Sequence, residues 1–74
     1  MSKYSPEKLG AMVEVLRARY KWSQQLLADK TGLSRNRIAQ IERGEAKDVK
    51  LSTLIVIFEQ FGMAVKIGLK ENKK

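Results

Sequence analysis

The sequence predicts a mainly α-helical single domain of four to five short helices, followed by one β-strand. Three observations carry this. A serine helix-start pattern recurs three times, the apolar residues between the starts return at helical spacing, and after Gly62 that spacing shortens to every second residue. A chain of 74 residues has room for one hydrophobic core and not for a second.

The first helix begins at Ser5-Pro6-Glu7. Serine can cap, proline suits the first helical position, and an acid in the first turn suits the positive end of the helix dipole. Leu9, Met12, Val13, Leu16 and Tyr20 then form the apolar stripe of an amphipathic helix that is expected to run to about Arg19.

The second start is Ser23, with Trp22 before the cap and Leu27 at the fourth helical position, the arrangement of a hydrophobic staple. It predicts a short helix from Gln24 to Thr31. The third start repeats the pattern with Leu33, Ser34 and Ile38, and predicts a helix from Arg35 to about Arg43. Gly44 lies just past that end, where a left-handed residue commonly closes a helix, and Glu45 to Lys50 read as a polar loop.

The fourth helix is expected to start near Leu51 or Ser52 and to bury Leu54, Ile55, Phe58 and Phe61, with Gly62 closing it. The β-branched run Ile55-Val56-Ile57 weakens its helical signal. Met63, Val65, Ile67 and Leu69 then alternate with Ala64, Lys66 and Gly68, the two-residue repeat of a strand. A lone strand cannot satisfy its backbone groups, so residues 63–69 are expected to pair with their copy across a homodimer. The other reading of this segment is an irregular tail packed on the helices. The expected organisation is a helical core over residues 5–62, a dimerisation strand over 63–69 and a polar end over 70–74.

Fifteen Lys and Arg against eight Asp and Glu give a net charge of +7, an excess that attracts a polyanion, either nucleic acid or a membrane surface. No apolar segment approaches the roughly 20 residues needed to span a bilayer, and no secretory signal is visible at the N-terminus. Together with the absence of Cys, this places the expected protein in the cytoplasm. With no His, no Cys, no paired carboxylates on one helix face and no phosphate-cradling Gly-rich loop, neither an enzyme nor a metal or cofactor site is expected.

The segment from Gln24 to Arg43 has the outline of a helix-turn-helix, two short helices joined by a three-residue turn containing Gly32. Ala28 lies in the middle of the second helix, where a small side chain lets the two backbones approach. Gly32 stands where a positive φ is often needed. Leu27, Leu33, Ile38 and Ile41 supply the shared apolar contact.

With Ile38 and Ile41 facing the core, a rotation of about 100° per residue places Asn36, Ala39, Gln40 and Arg43 on the outer face of the third helix, with Arg35 at its exposed N-terminus. Arginine can pair bidentately with guanine, and asparagine or glutamine with adenine. Ser34, Arg35, Asn36, Ala39 and Gln40 are therefore the candidate base-edge residues in a major groove, Ala39 through apolar contact alone. Ser23, Gln24, Arg37, Arg43, Lys47 and Lys50 are the candidate phosphate contacts, which set register and affinity. Tyr20 and Trp22 stand beside helix starts and are expected to pack, not to stack on bases.

Gln24, Ala28, Gly32, Leu33, Ile38, Ile41, Glu42 and Gly44 together resemble the phage repressor and Cro type (XRE) helix-turn-helix over about residues 9–62. The resemblance implies that Glu42 pairs with Arg17 of the first helix in a structural role. The whole chain resembles the HipB-like antitoxins more closely, through a start like Tyr4-Ser5-Pro6, this helix-turn-helix and a terminal strand like Met63 to Leu69. That resemblance implies a two-fold dimer that binds a palindromic double-stranded DNA operator, represses its own operon and contacts a HipA-like kinase toxin. Only Lys70 to Lys74 follow the strand where longer members continue. A stand-alone repressor with no toxin partner shares the same DNA-binding physics and stays open as the alternative.

Overall fold

Three helices begin on a serine hydroxyl that accepts a backbone N–H from the third helical residue. Ser5 Oγ accepts from Lys8 N at 3.2 Å, Ser23 Oγ from Leu26 N at 3.0 Å and Ser34 Oγ from Arg37 N at 3.0 Å. Each bond satisfies one of the donors that a helix start leaves without an internal partner. They open α1 (Pro6–Arg19), α2 (Gln24–Thr31) and α3 (Arg35–Glu42). The fourth helix, α4 (Leu51–Glu59), starts after Lys50 with no side-chain cap. The computed structural model describes residues 5–46 and 48–63, and over these the chain is all helical.

The helix ends share a second device. After α1, Trp22 N bonds to Arg17 O and Lys21 N to Ala18 O, both at 3.0 Å. After α3, Glu45 N bonds to Gln40 O at 3.0 Å and Gly44 N to Ile41 O at 3.1 Å. After α4, Met63 N bonds to Phe58 O at 3.2 Å and Gly62 N to Glu59 O at 3.0 Å. This is the Schellman pairing, which needs a left-handed residue at its hinge. Gly44 and Gly62 adopt φ of 75° and 77°, as their positions in the sequence predict, but at the end of α1 the hinge is Lys21, with φ of 59°.

Val13, Leu27, Ile38 and Ile57 are fully buried, one from each helix, with Ala28, Ile41, Leu54, Phe58 and Phe61 around them. Three expectations need correction here. On α4 the buried stripe is Leu54, Ile57, Phe58 and Phe61, and Ile55 is only half-buried. An unbroken apolar run carries no phase of its own, and packing selected the i, i+3, i+4, i+7 set. On α1, Met12 is 46% exposed, while Gly10, outside the expected stripe, is buried. In the loop after α3, Ala46 is buried and Val49 packs against the core, so this connection is not wholly polar.

Gly10 shows why α1 and α3 can lie so close. A Cβ at this position would overlap the carbonyl oxygen of Ile41 and stand 2.7 Å from that of Glu42. The two helices therefore meet backbone to backbone, and α3 is seated against a surface that only glycine provides.

The expected strand starts at Met63, but the N–H of that residue closes α4 and its side chain is 40% exposed. Val65, Ile67 and Leu69 lie outside the described residues. No helix among the described residues is long and apolar enough to cross a membrane.

Candidate nucleic-acid interface

The turn between α2 and α3 spans Gly32, Leu33 and Ser34, and Thr31 at the end of α2 braces it. Gly32 caps α2 in the left-handed conformation, φ 81°, and its N–H bonds to Ala28 O at 2.8 Å. The Thr31 hydroxyl donates to Leu27 O at 2.8 Å and accepts from Leu33 N at 3.3 Å, a link across the turn that the sequence pattern did not single out. Ala28, in the middle of α2, is 1% exposed.

The inner face of α3 is fixed by a buried ionic knot. Glu42 accepts from Arg17 Nε at 2.7 Å and from Arg17 Nη2 at 3.0 Å, as the family resemblance implied. It also accepts from Gln24 Nε2 at 3.0 Å, while Arg17 Nη1 donates to the Trp22 carbonyl at 2.8 Å. The hydrogen bond to Glu42 raises the Arg17 pKa further above its already high ordinary value, so the guanidinium stays charged. One carboxylate thus ties α1, the loop after it, α2 and α3 together.

The outer face of α3 is left to solvent. Arg35, Asn36 and Gln40 are exposed, Ala39 is half-buried, and Ser34 is exposed with its hydroxyl committed to the cap. The five candidate base-edge residues thus lie in one run from the N-terminus of α3 along its outward side. The phosphate candidates are more dispersed. Ser23 is exposed but caps α2, and Gln24 directs its amide N–H to Glu42. Arg37 pairs with Asp48 at 3.3 Å and Arg43 with Glu45 at 3.1 Å. Lys50 is exposed before α4, and Lys47 lies outside the described residues. Nothing in the spacing of the sequence points to these two acidic partners of Arg37 and Arg43.

Tyr20 and Trp22 are packing residues. Their rings lie 4.9 Å apart, each meets Phe61, at 5.2 and 5.0 Å, and the Tyr20 hydroxyl donates to Phe61 O at 3.0 Å. Lys30 Nζ sits 4.6 Å from the Trp22 ring centre.

Two short capped helices, the first with a buried alanine at its middle, joined by a glycine turn and locked from behind so that the second shows a polar face to solvent, define a small helix-turn-helix domain. The chain belongs to the Helix-turn-helix family of DNA-binding domains, whose model matches residues 13–66. No curated protein matches the chain by sequence. Among solved structures it is similar to the clp gene regulator ClgR from C. glutamicum, at 26% identity and a TM-score of 0.77, covering 88% of this chain and 82% of that one. A chain of the HipA-HipB-O2-O3 complex is similar at 22% identity and a TM-score of 0.73, covering 96% of this chain and 99% of that one. Hydroxypropylphosphonic acid epoxidase from S. wedmorenis holds the same fold, at 22% identity and a TM-score of 0.75, with 85% of this chain matching 33% of that one. At 22% identity the last two likenesses concern the fold, and the epoxidase shows that the fold can sit inside a much longer enzyme chain.

Proposed function

We propose that this chain is a sequence-specific, non-enzymatic transcriptional repressor that binds double-stranded DNA as a homodimer. The observation that carries the proposal is the exposed run Arg35, Asn36 and Gln40 on an α3 whose inner face is clamped by Glu42 and Arg17. A rigid helix with base-reading side chains on its free side suits insertion into a major groove. Ser34 and Ala39 complete the base-facing set. Ser23, Gln24, Arg37, Arg43, Lys47 and Lys50 position the domain on phosphates, Arg43 by exchanging its carboxylate partner for phosphate.

Within this reading the protein works in the cytoplasm and binds a palindromic operator. Met63, Val65, Ile67 and Leu69 pair with their copies to set the half-sites about one helical turn apart. The resemblance to HipB-like antitoxins supports a finer role as the antitoxin of a HipBA-like operon, bound to its own operator and to a HipA-like kinase toxin. The 26% identity to the gene regulator ClgR favours a second reading, a stand-alone regulator without a toxin.

The test is to recover DNA fragments retained by the purified full chain at physiological salt, then to measure wild type and Arg35→Ala on the selected site and on random DNA. A palindromic motif is expected, with a loss of about 1–3 kcal/mol confined to the selected site. Equal loss on both DNAs refutes base reading by Arg35. The absence of any motif refutes sequence-specific repression.

A further inference from the structure

Arg37 touches two partners at once. Its Nη1 donates to Gln40 Oε1 at 3.3 Å and its Nη2 to Asp48 Oδ1 at 3.3 Å. The Arg37 side chain is 33% exposed, whereas Asp48, in the loop before α4, is 84% exposed. The guanidinium therefore runs from that loop to a residue on the outward face of α3.

A guanidinium has donors only, so the amide of Gln40 can meet it only through its oxygen. The nitrogen end must then point away from Arg37. A free glutamine presents either end to a base and pairs bidentately with adenine by accepting from N6 while donating to N7. A glutamine held by its oxygen leads with two N–H groups. The partner that suits it is an edge with acceptors alone, the N7 and O6 of guanine.

We propose that Arg37, braced by Asp48, is a positioning residue that sets the amide polarity of Gln40 and so biases the base pair under Gln40 toward guanine over adenine. The inference rests on the reading of α3 as a base-reading helix. It gives Arg37 a role in specificity distinct from a phosphate contact, because a phosphate contact strengthens every sequence alike.

The experiment selects from randomised operators with the full-length wild type, Gln40→Ala, Arg37→Ala and Asp48→Asn at one salt concentration. Gln40→Ala identifies the base pair under Gln40 as the position whose preference collapses. At that position the wild type is expected to favour guanine. Arg37→Ala is expected to shift the guanine-to-adenine ratio toward adenine by about three- to tenfold, the scale of one net hydrogen bond, with the ranking at other positions retained. Asp48→Asn, at an exposed site that leaves the core untouched, is expected to shift it in the same direction by less, and it supplies the readout should Arg37→Ala not fold. A uniform loss of affinity with unchanged base preference in the variants overturns the proposal and leaves Arg37 a phosphate contact or a packing residue. A wild type without preference at any position overturns the base-reading function itself.

Discussion

Arg17 and Glu42, one from α1 and one from α3, form a two-pronged ion pair of 2.7 and 3.0 Å, with side chains only 18% and 4% exposed. Its contribution lies in satisfaction more than in attraction, because a buried carboxylate stripped of its partner carries the full cost of desolvation. Arg17→Ala is expected to destabilise the domain by about 3–5 kcal/mol in denaturant unfolding. The double variant Arg17→Met with Glu42→Leu should recover most of that loss, since an apolar pair leaves no charge uncompensated. A double variant as unstable as Arg17→Ala would show that the charges themselves hold α1 to α3.

Gly10 makes the second contact between the same two helices. Alanine has the higher helix propensity, by about 1 kcal/mol in an exposed position. At Gly10 the added methyl meets the carbonyl oxygens of Ile41 and Glu42, which are backbone atoms fixed within α3 and cannot swing aside. Gly10→Ala is therefore expected to cost about 2 kcal/mol or more, with α3 displaced from α1. It should lower the unfolding midpoint and DNA affinity together. A variant as stable as wild type would mean that the helices do not approach this closely.

These two contacts show what the sequence could reveal. The serine caps, the Gly32 turn and the bounds of α2 were legible because each depends on neighbours within a few residues. The Arg17–Glu42 pair joins residues 25 positions apart and entered only through a family resemblance. Gly10 interrupts a helical pattern and so carried a signal, but its reason lies in the α1–α3 crossing, which no local rule supplies. Periodicity alone does not separate Ile57, which is buried, from Ile55, because three consecutive β-branched residues fit either phase. The acidic partners of Arg37 and Arg43 lie in a loop, where side-chain direction has no period to read.

Lys21 holds a position that glycine usually takes. Its φ of 59° closes α1, and the Schellman bonds from Trp22 and Lys21 fix it there. A side chain in the left-handed region costs about 1–2 kcal/mol, of which glycine returns part as greater freedom of the unfolded chain. Lys21→Gly is expected to raise stability by about 0.5–1 kcal/mol, read as a higher denaturant midpoint with an unchanged slope. Lys21→Val should move the midpoint the other way. If the glycine variant were less stable, the ammonium group or stem of Lys21 must make a contact worth more than the backbone strain.

Arg43 and Glu45 are both exposed and hydrogen-bonded at 3.1 Å. The hydrogen bond to Arg43, with the charge of its guanidinium, holds the Glu45 carboxyl below its usual pKa against the opposing effect of desolvation. A depressed carboxyl contributes above its unfolded pKa and loses that contribution only as pH falls through the lower folded value, so the pair is intact throughout the neutral range. Wild-type DNA affinity should accordingly show no step from Glu45 near neutrality. Exposed pairs add little stability, and Glu45→Gln should leave the unfolding midpoint nearly unchanged. What it should change is binding: Arg43 no longer has to give up a carboxylate to meet a phosphate and a repelling charge is gone, so affinity rises on selected and random DNA alike, whereas Arg43→Ala should lower the salt slope by about one phosphate contact. A salt slope unchanged by Arg43→Ala would remove Arg43 from the phosphate-contacting set.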